Sequence, residues 1–181
     1  MRMVDPKYLV FDLDETLYPT SNGLMEAIRE RIILYMMGRF GISREKAEER
    51  RTTYLARYGL TLAGLYIEDH VDVKDYMAFV HHVPLGQYVR PNEALDRMLA
   101  RLSPAKVIFT NSDVAHSRRV LSALGVSESH FELIFDFEAM GCNAKPHPES
   151  YRRLLERIGA QGRRFWGCPR SGYTRDPSRR S

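Results

Sequence analysis

Cysteine is nearly missing from this chain, and the two that occur, Cys142 and Cys168, stand far apart in unlike surroundings. That argues against a disulfide framework and against the closely spaced Cys and His pairs of a zinc site. Long apolar runs are missing too. None approaches the roughly 20 residues needed to span a bilayer. The opening Met1-Arg2-Met3-Val4-Asp5-Pro6 has neither the apolar segment nor the cleavage site of a secretory signal. A cytoplasmic protein with no membrane partner is expected. Also lacking is a basic stripe interleaved with aromatic side chains. Although the net charge is +4, no nucleic-acid partner is expected. Much of the positive excess lies in the last segment, where Arg163, Arg164, Arg170, Arg175, Arg179 and Arg180 face only Asp176. Elsewhere the signs mix, as in residues 44–51, which read as a solvated helix face.

What is present is an alternation of short apolar runs and amphipathic stretches in a chain of one-domain length. Residues 7–12 read as a buried strand, rich in aromatic and β-branched side chains. Residues 24–40 carry Ile28, Ile32, Tyr35 and Met36 at helical spacing after a Thr-Ser-Asn-Gly start signal, and Gly41 closes them. Ser43 is the expected N-cap of a second helix that runs to about Tyr58 and stops at Gly59. A further helix is expected over residues 73–80, after Asp72. Asn92 caps a helix with Leu95, Met98, Leu99 and Leu102 on one face. Residues 106–110 form a second buried strand, Asp113 opens the next helix, and residues 133–136 form a third strand. Pro148 opens a last helix whose apolar stripe is Tyr151, Leu154, Leu155 and Ile158.

Strands alternating with helices in this way imply an α/β fold: a Rossmann-like parallel sheet with helices on both faces. The helix-only stretch interrupts that pattern. The expected organisation is a discontinuous α/β core of residues 1–18 and 89–162, an inserted small α-helical cap of residues 19–88, and an irregular basic tail of residues 163–181.

Three segments carry chemistry, each after a strand, where ligands bind in open α/β sheets. In Phe11-Asp12-Leu13-Asp14-Glu15-Thr16, two carboxylates stand two residues apart and face one side if the backbone stays extended. Carboxylates so placed repel unless a cation or a shared proton intervenes, and Mg²⁺ is a natural partner because it takes oxygen ligands and bridges to phosphate. The bland alternative is an acidic loop capping a helix. A D-x-D-x-T pattern arises by chance in roughly a few chains of this length per hundred. In Phe109-Thr110-Asn111-Ser112-Asp113, the Thr110 hydroxyl and the N–H groups near a helix start suit phosphate oxygens, but the same residue types serve as ordinary N-caps. Lys145, in Ala144-Lys145-Pro146-His147-Pro148, brings the positive charge that two carboxylates and a phosphate would need; a lone Lys-Pro is otherwise simply a loop.

In that order, the three segments resemble the first three motifs of the haloacid dehalogenase superfamily, over about residues 5–160. The helical insertion resembles its small cap type. Residues 12–19, 58–65 and 109–113 look like its pyrimidine 5'-nucleotidase-like branch. The resemblance implies a Mg²⁺-dependent phosphomonoesterase acting on a small phosphorylated substrate, a nucleoside 5'-monophosphate. Asp12 would be the nucleophile, Asp14 the general acid and base, Thr110 and the Asn111 backbone the holders of phosphoryl oxygens, and Lys145 the neutralising charge. Mg²⁺ would be held by the Asp12 carboxylate and the Asp14 main-chain carbonyl. True dehalogenases lack a second Asp at the position of Asp14, so its presence favours phosphate chemistry.

The pattern breaks after Gly159. The superfamily's fourth motif is an acidic pair ending a fourth apolar strand that lies beside the first. Residues 162–172 offer neither, and Asp176 is solitary among Arg, Pro and Ser. The expectation is an impaired enzyme whose tail stems from an altered splice or reading frame and does not form that strand. The rival expectation is a catalytically silent protein that binds through its cap or its basic tail. His81 and His82, with His70 nearby, are expected to be structural or surface residues, because neighbours on a helix point apart. Tyr18, Met25 and residues 58–65 are candidates for the substrate pocket or for the interior of the cap.

Overall fold

The structure, a computed structural model, describes residues 6–160 of the 181-residue chain. The expectations for residues 163–181 lie outside the described residues. The core is a parallel sheet of three strands in the order β1 (Tyr8–Phe11), β2 (Ala105–Phe109), β3 (Leu133–Phe135). Val10 stands opposite Val107, and Ile108 opposite Ile134. Alternation along the strands splits the core in two. Tyr8, Val10, Val107, Phe109, Leu133 and Phe135 face α7 (Pro148–Arg157) and part of the helical insertion, through Leu154, Ile158 and Met77. Phe11, Ile108 and Ile134 face α5 (Glu93–Arg101) and α6 (Val114–Leu124), through Leu99, Val120, Leu121 and Leu124. Both faces are therefore covered, as a parallel sheet requires.

The first strand is less buried than expected. All four of its residues are half-buried, whereas four of the five residues of β2 are buried. Among the described residues β1 pairs only with β2, so one side of it has no strand neighbour.

The insertion consists of α1 (Leu24–Phe40), α2 (Arg44–Tyr58), α3 (Thr61–Asp69) and α4 (Val73–Val80). Helix starts follow their capping residues. The side chains of Ser43, Asp72, Asn92 and Asp113 each accept a bond from a backbone N–H three residues on. The Thr-Ser-Asn-Gly signal before α1 instead forms a short 3₁₀ turn, in which Asn22 Oδ1 accepts from Leu24 N at 2.9 Å. Helix α3 has no counterpart in the sequence reading. Leu60 supplies no side-chain cap, and the consecutive residues Thr61, Leu62, Ala63, Gly64 and Leu65 are all buried, which removes the one-sided periodicity that marks a surface helix. Among the described residues no helix is long and apolar enough to cross a membrane.

The contact of α2 with α3 depends on a missing side chain. A Cβ at Gly64 would lie 2.4 Å from Tyr54 Cγ. Gly64→Ala is expected to destabilise the protein by about 1–3 kcal/mol through overpacking. Gly38→Ala in α1, where a Cβ meets nothing within 4 Å, is expected to stabilise by about 0.5 kcal/mol. Urea unfolding of the two variants checks both signs; an equal effect of both would disprove the packing account.

Candidate active site

The ends of β1 and β2 and the loop before α7 bring together Asp12, Asp14, Thr110, Asn111 and Lys145, but in two separate sets. The first is built on Asp12. Its Oδ1 accepts from Lys145 Nζ at 2.8 Å and from Leu13 N at 2.8 Å. Lys145 also donates to the Phe109 carbonyl at 2.7 Å and lies 5.0 Å over the Phe109 ring. Asn111 holds the lysine's backbone from both sides: its Oδ1 accepts from Lys145 N at 2.8 Å, and its Nδ2 donates to Lys145 O at 3.2 Å. The Asn111 side chain is thus engaged with Lys145. Its main-chain N–H makes no hydrogen bond among the described residues. The side chain of Asp12 is 47% exposed and that of Lys145 is 14% exposed. The open carboxylate is screened by water, and the pair sets a positive charge at the strand end.

The second set is built on Asp14. The backbone does not stay extended beyond Asp12. Leu13 O accepts from Thr16 N and Leu17 N, and Glu15 sits at φ 53°, so the chain turns back after Asp14. That turn returns Tyr18, whose hydroxyl donates to Asp14 Oδ1 at 2.8 Å. Ser112 Oγ donates to Asp14 Oδ2 at 2.6 Å, and His116 Nε2 lies 3.1 Å from Oδ1. Burial alone would raise the proton affinity of Asp14, but the three partners outweigh it and hold its pKa at about 2, below the ordinary 3.8. Burial, with the same carboxylate, drives the Tyr18 hydroxyl well above its usual range. Thr110 is fully buried, and its Oγ1 accepts from Ser112 N at 3.0 Å.

Three partners of Asp14 were not assigned to it from the sequence: Ser112, His116 and Tyr18. For His116 a signal existed. It stands four residues before Val120 on the apolar stripe of α6, where a fully buried polar ring requires a partner. His81 is likewise buried beside Met77, whereas His82 is exposed. Met25 is 37% exposed, and Leu62, Ala63 and Leu65 lie in the core. A cleft of about 350 Å³ runs between α4, the start of α6 and the segment after β3; Asp113 lines it, but Asp12, Asp14, Thr110 and Lys145 do not. As oxygen donors for a hard cation, the site offers Asp12 Oδ2 and the Asp14 carbonyl. Neither accepts a hydrogen bond among the described residues. The side-chain oxygens of Asp14 are occupied.

A family model described as haloacid dehalogenase-like hydrolase matches residues 6–166. Among curated proteins, the chain is similar to Phosphate metabolism protein 8 of Saccharomyces cerevisiae, with 28% identity over 131 residues, 67% of this chain and 41% of that protein. The chain therefore spans about two fifths of that relative's length. Among solved structures it is similar to an L-2-haloacid dehalogenase from Xanthobacter autotrophicus with chloropropionic acid covalently bound. The TM-score is 0.47 and the identity 20%, over 86% of this chain and 66% of that one. It is also similar to the HAD-hydrolase YfnB from Bacillus subtilis bound to magnesium, with TM-score 0.42 and 18% identity over 84% and 72% of the two chains.

Because the folded state lowers the pKa of Asp14 from 3.8 to about 2, its ionised form contributes stability that is complete above about pH 5 and is lost progressively as pH falls through about 2. Asp14→Asn is expected to cost about 1–3 kcal/mol near neutral pH and to flatten that acid limb. Chemical unfolding between pH 2 and pH 7 measures it; an unchanged acid limb would remove Asp14 as its source.

Proposed function

The chain belongs to the haloacid dehalogenase-like hydrolases, and from that premise we propose that it hydrolyses small phosphomonoesters, of which nucleoside 5'-monophosphates are the favoured class, through an aspartyl-phosphate on Asp12. The observation that carries this reading is the 2.8 Å pair of Lys145 and Asp12 at the end of β1. It presents an unshared carboxylate oxygen beside a fixed ammonium, which is what attack on an anionic phosphorus needs.

In the first half-reaction an Asp12 oxygen bonds to phosphorus as the bond to the leaving oxygen breaks, and Asp14 gives that oxygen a proton. In the second, a water oxygen bonds to phosphorus, its proton passes to Asp14, and the Asp12–phosphorus bond breaks. With a pKa of about 2, Asp14 rests as the base of the second half. A phosphate dianion arriving beside it would raise its proton affinity for the first. In this reading Lys145 would balance the charge on the phosphoryl oxygens, with the Thr110 hydroxyl and the Asn111 N–H as donors to them. Mg²⁺ fits the hard-oxygen pair of Asp12 carboxylate and Asp14 carbonyl and would supply further charge neutralisation. In this reading α1 to α4 act as the cap over the α/β core, with the boundaries near residues 19 and 88.

A screen of nucleoside monophosphates against sugar phosphates with Mg²⁺ is expected to show turnover favouring the nucleotides. Asp12→Asn is expected to abolish it, because the amide keeps the shape but cannot act as the nucleophile. Undiminished turnover by that variant would point to another nucleophile. Phosphate binding without any turnover would favour a catalytically silent binding module.

A further inference from the structure

The mechanism leaves two buried histidines unused. His81 ends α4, and His116 lies in the first turn of α6. Their rings stack at 4.0 Å between centroids and 20° between planes. His116 is completely buried, and its Nε2 faces the Asp14 carboxylate. An ionised carboxylate only accepts, so Nε2 is the donor. His81 is held on α6 at two further points: its carbonyl accepts from the Arg119 guanidinium at 2.6 Å, and its Nδ1 lies 3.5 Å from Asp113 Oδ2. Asp113 in turn caps the helix by accepting from His116 N at 2.5 Å. One short stretch of α6 therefore grips both the exit of the helical insertion and the second carboxylate of the strand end.

We propose that His116, backed by the stacked ring of His81, is the positioning residue that fixes the orientation of the Asp14 carboxylate, and that this pair ties the helical insertion to the proton-transfer group. The role in turnover rests on the hydrolase reading above; the contact itself does not. Ser112 and Tyr18 also donate to Asp14, but Ser112 precedes α6 and Tyr18 follows the turn at Glu15, outside any helix. Only His116 approaches from inside a helix, with no room to swing. Neither histidine need touch substrate.

Proton transfer matters most when the leaving group is a poor one. His116→Leu keeps apolar volume and removes the donor. Its expected effect is a drop of about 100-fold in the rate of the first turnover on alkyl phosphates, with KM little changed. An aryl phosphate with a good leaving group, such as 4-nitrophenyl phosphate, is expected to phosphorylate Asp12 at nearly the original rate, seen as a burst of 4-nitrophenolate. His116→Gln, which carries an N–H of similar reach, is expected to recover most of the alkyl-phosphate rate. His81→Leu is expected to follow His116→Leu in pattern at about one tenth of its size. Equal losses on both esters, or no rescue by Gln, would overturn the assignment to Asp14.

The imidazole ¹⁵N spectrum provides an arm that needs no turnover. Asp14→Asn is expected to shift the Nε2 resonance of His116, and His81→Leu is expected to shift the same resonance. If the unsubstituted chain hydrolyses no ester, the hydrolase reading falls and this spectrum alone decides the pairing. An Nε2 resonance insensitive to both substitutions would sink it.

Discussion

Two carboxylates placed two residues apart at one strand end repel unless each is compensated, and here each has its own partners. Asp12 takes Lys145, delivered by the loop before α7. Asp14 takes Ser112 and His116, delivered by the segment that follows β2, and Tyr18 from its own turn. These partners lie about 100 residues or more from the acids in sequence, except for Tyr18. They meet because parallel strands end on the same edge of a sheet, so each crossover returns its loop to one place. A mixed or antiparallel sheet would send some of those loops to the opposite edge.

The two sets differ in what they cost and what they do. In Lys145–Asp12 the carboxylate is about half open to solvent while the ammonium is largely buried, and the pair sets a positive charge beside an accessible oxygen. The Asp14 set is closed: both oxygens accept from buried partners, and losing any one would strand a polar group away from water. The open acid is placed where a ligand can reach it, while the closed acid is held by the fold. The Asn111 side chain, bonded on both sides to the Lys145 backbone, links the two sets by fixing the lysine to the same loop that carries Ser112.

Much of this was legible in the sequence, and the parts that were not have physical reasons. The three strands announced themselves by β-branched and aromatic runs, and Ser43, Asp72, Asn92 and Asp113 marked helix starts because a cap is a local interaction. Helix α3 was hidden because its buried residues run consecutively. The turn after Asp14 was hidden because Glu15 occupies a left-handed conformation that its residue type does not advertise. Asp12 and Lys145 were recognisable as members of an ordered set of motifs. Their separation from Asp14 was not, because it depends on the side chains of Ser112 and His116, which meet Asp14 only in the tertiary fold. The half-buried state of β1 reflects the same limit: burial is decided by neighbours, and among the described residues this strand has one.

The start of α6 is where these requirements meet. Asp113 accepts from the His116 N–H with one oxygen and faces His81 with the other, and it also lines the cleft beside α4. The carboxylate therefore has three neighbours of different kind: a helix terminus, an imidazole and an open cavity. Burial pushes its pKa upward, but the His81 ring and the His116 N–H outweigh this and keep it below the usual range. Burial in turn pushes the pKa of His81 down. A rigid helix terminus can hold the insertion and the sheet edge together only if its own N–H groups are satisfied, and Asp113 does that while leaving an oxygen for α4. Had the cap been a serine, with a single oxygen, it would have had less capacity to serve the backbone and the histidine together. The choice of a carboxylate at this one position lets a helix cap also act as the joint between the insertion and the site.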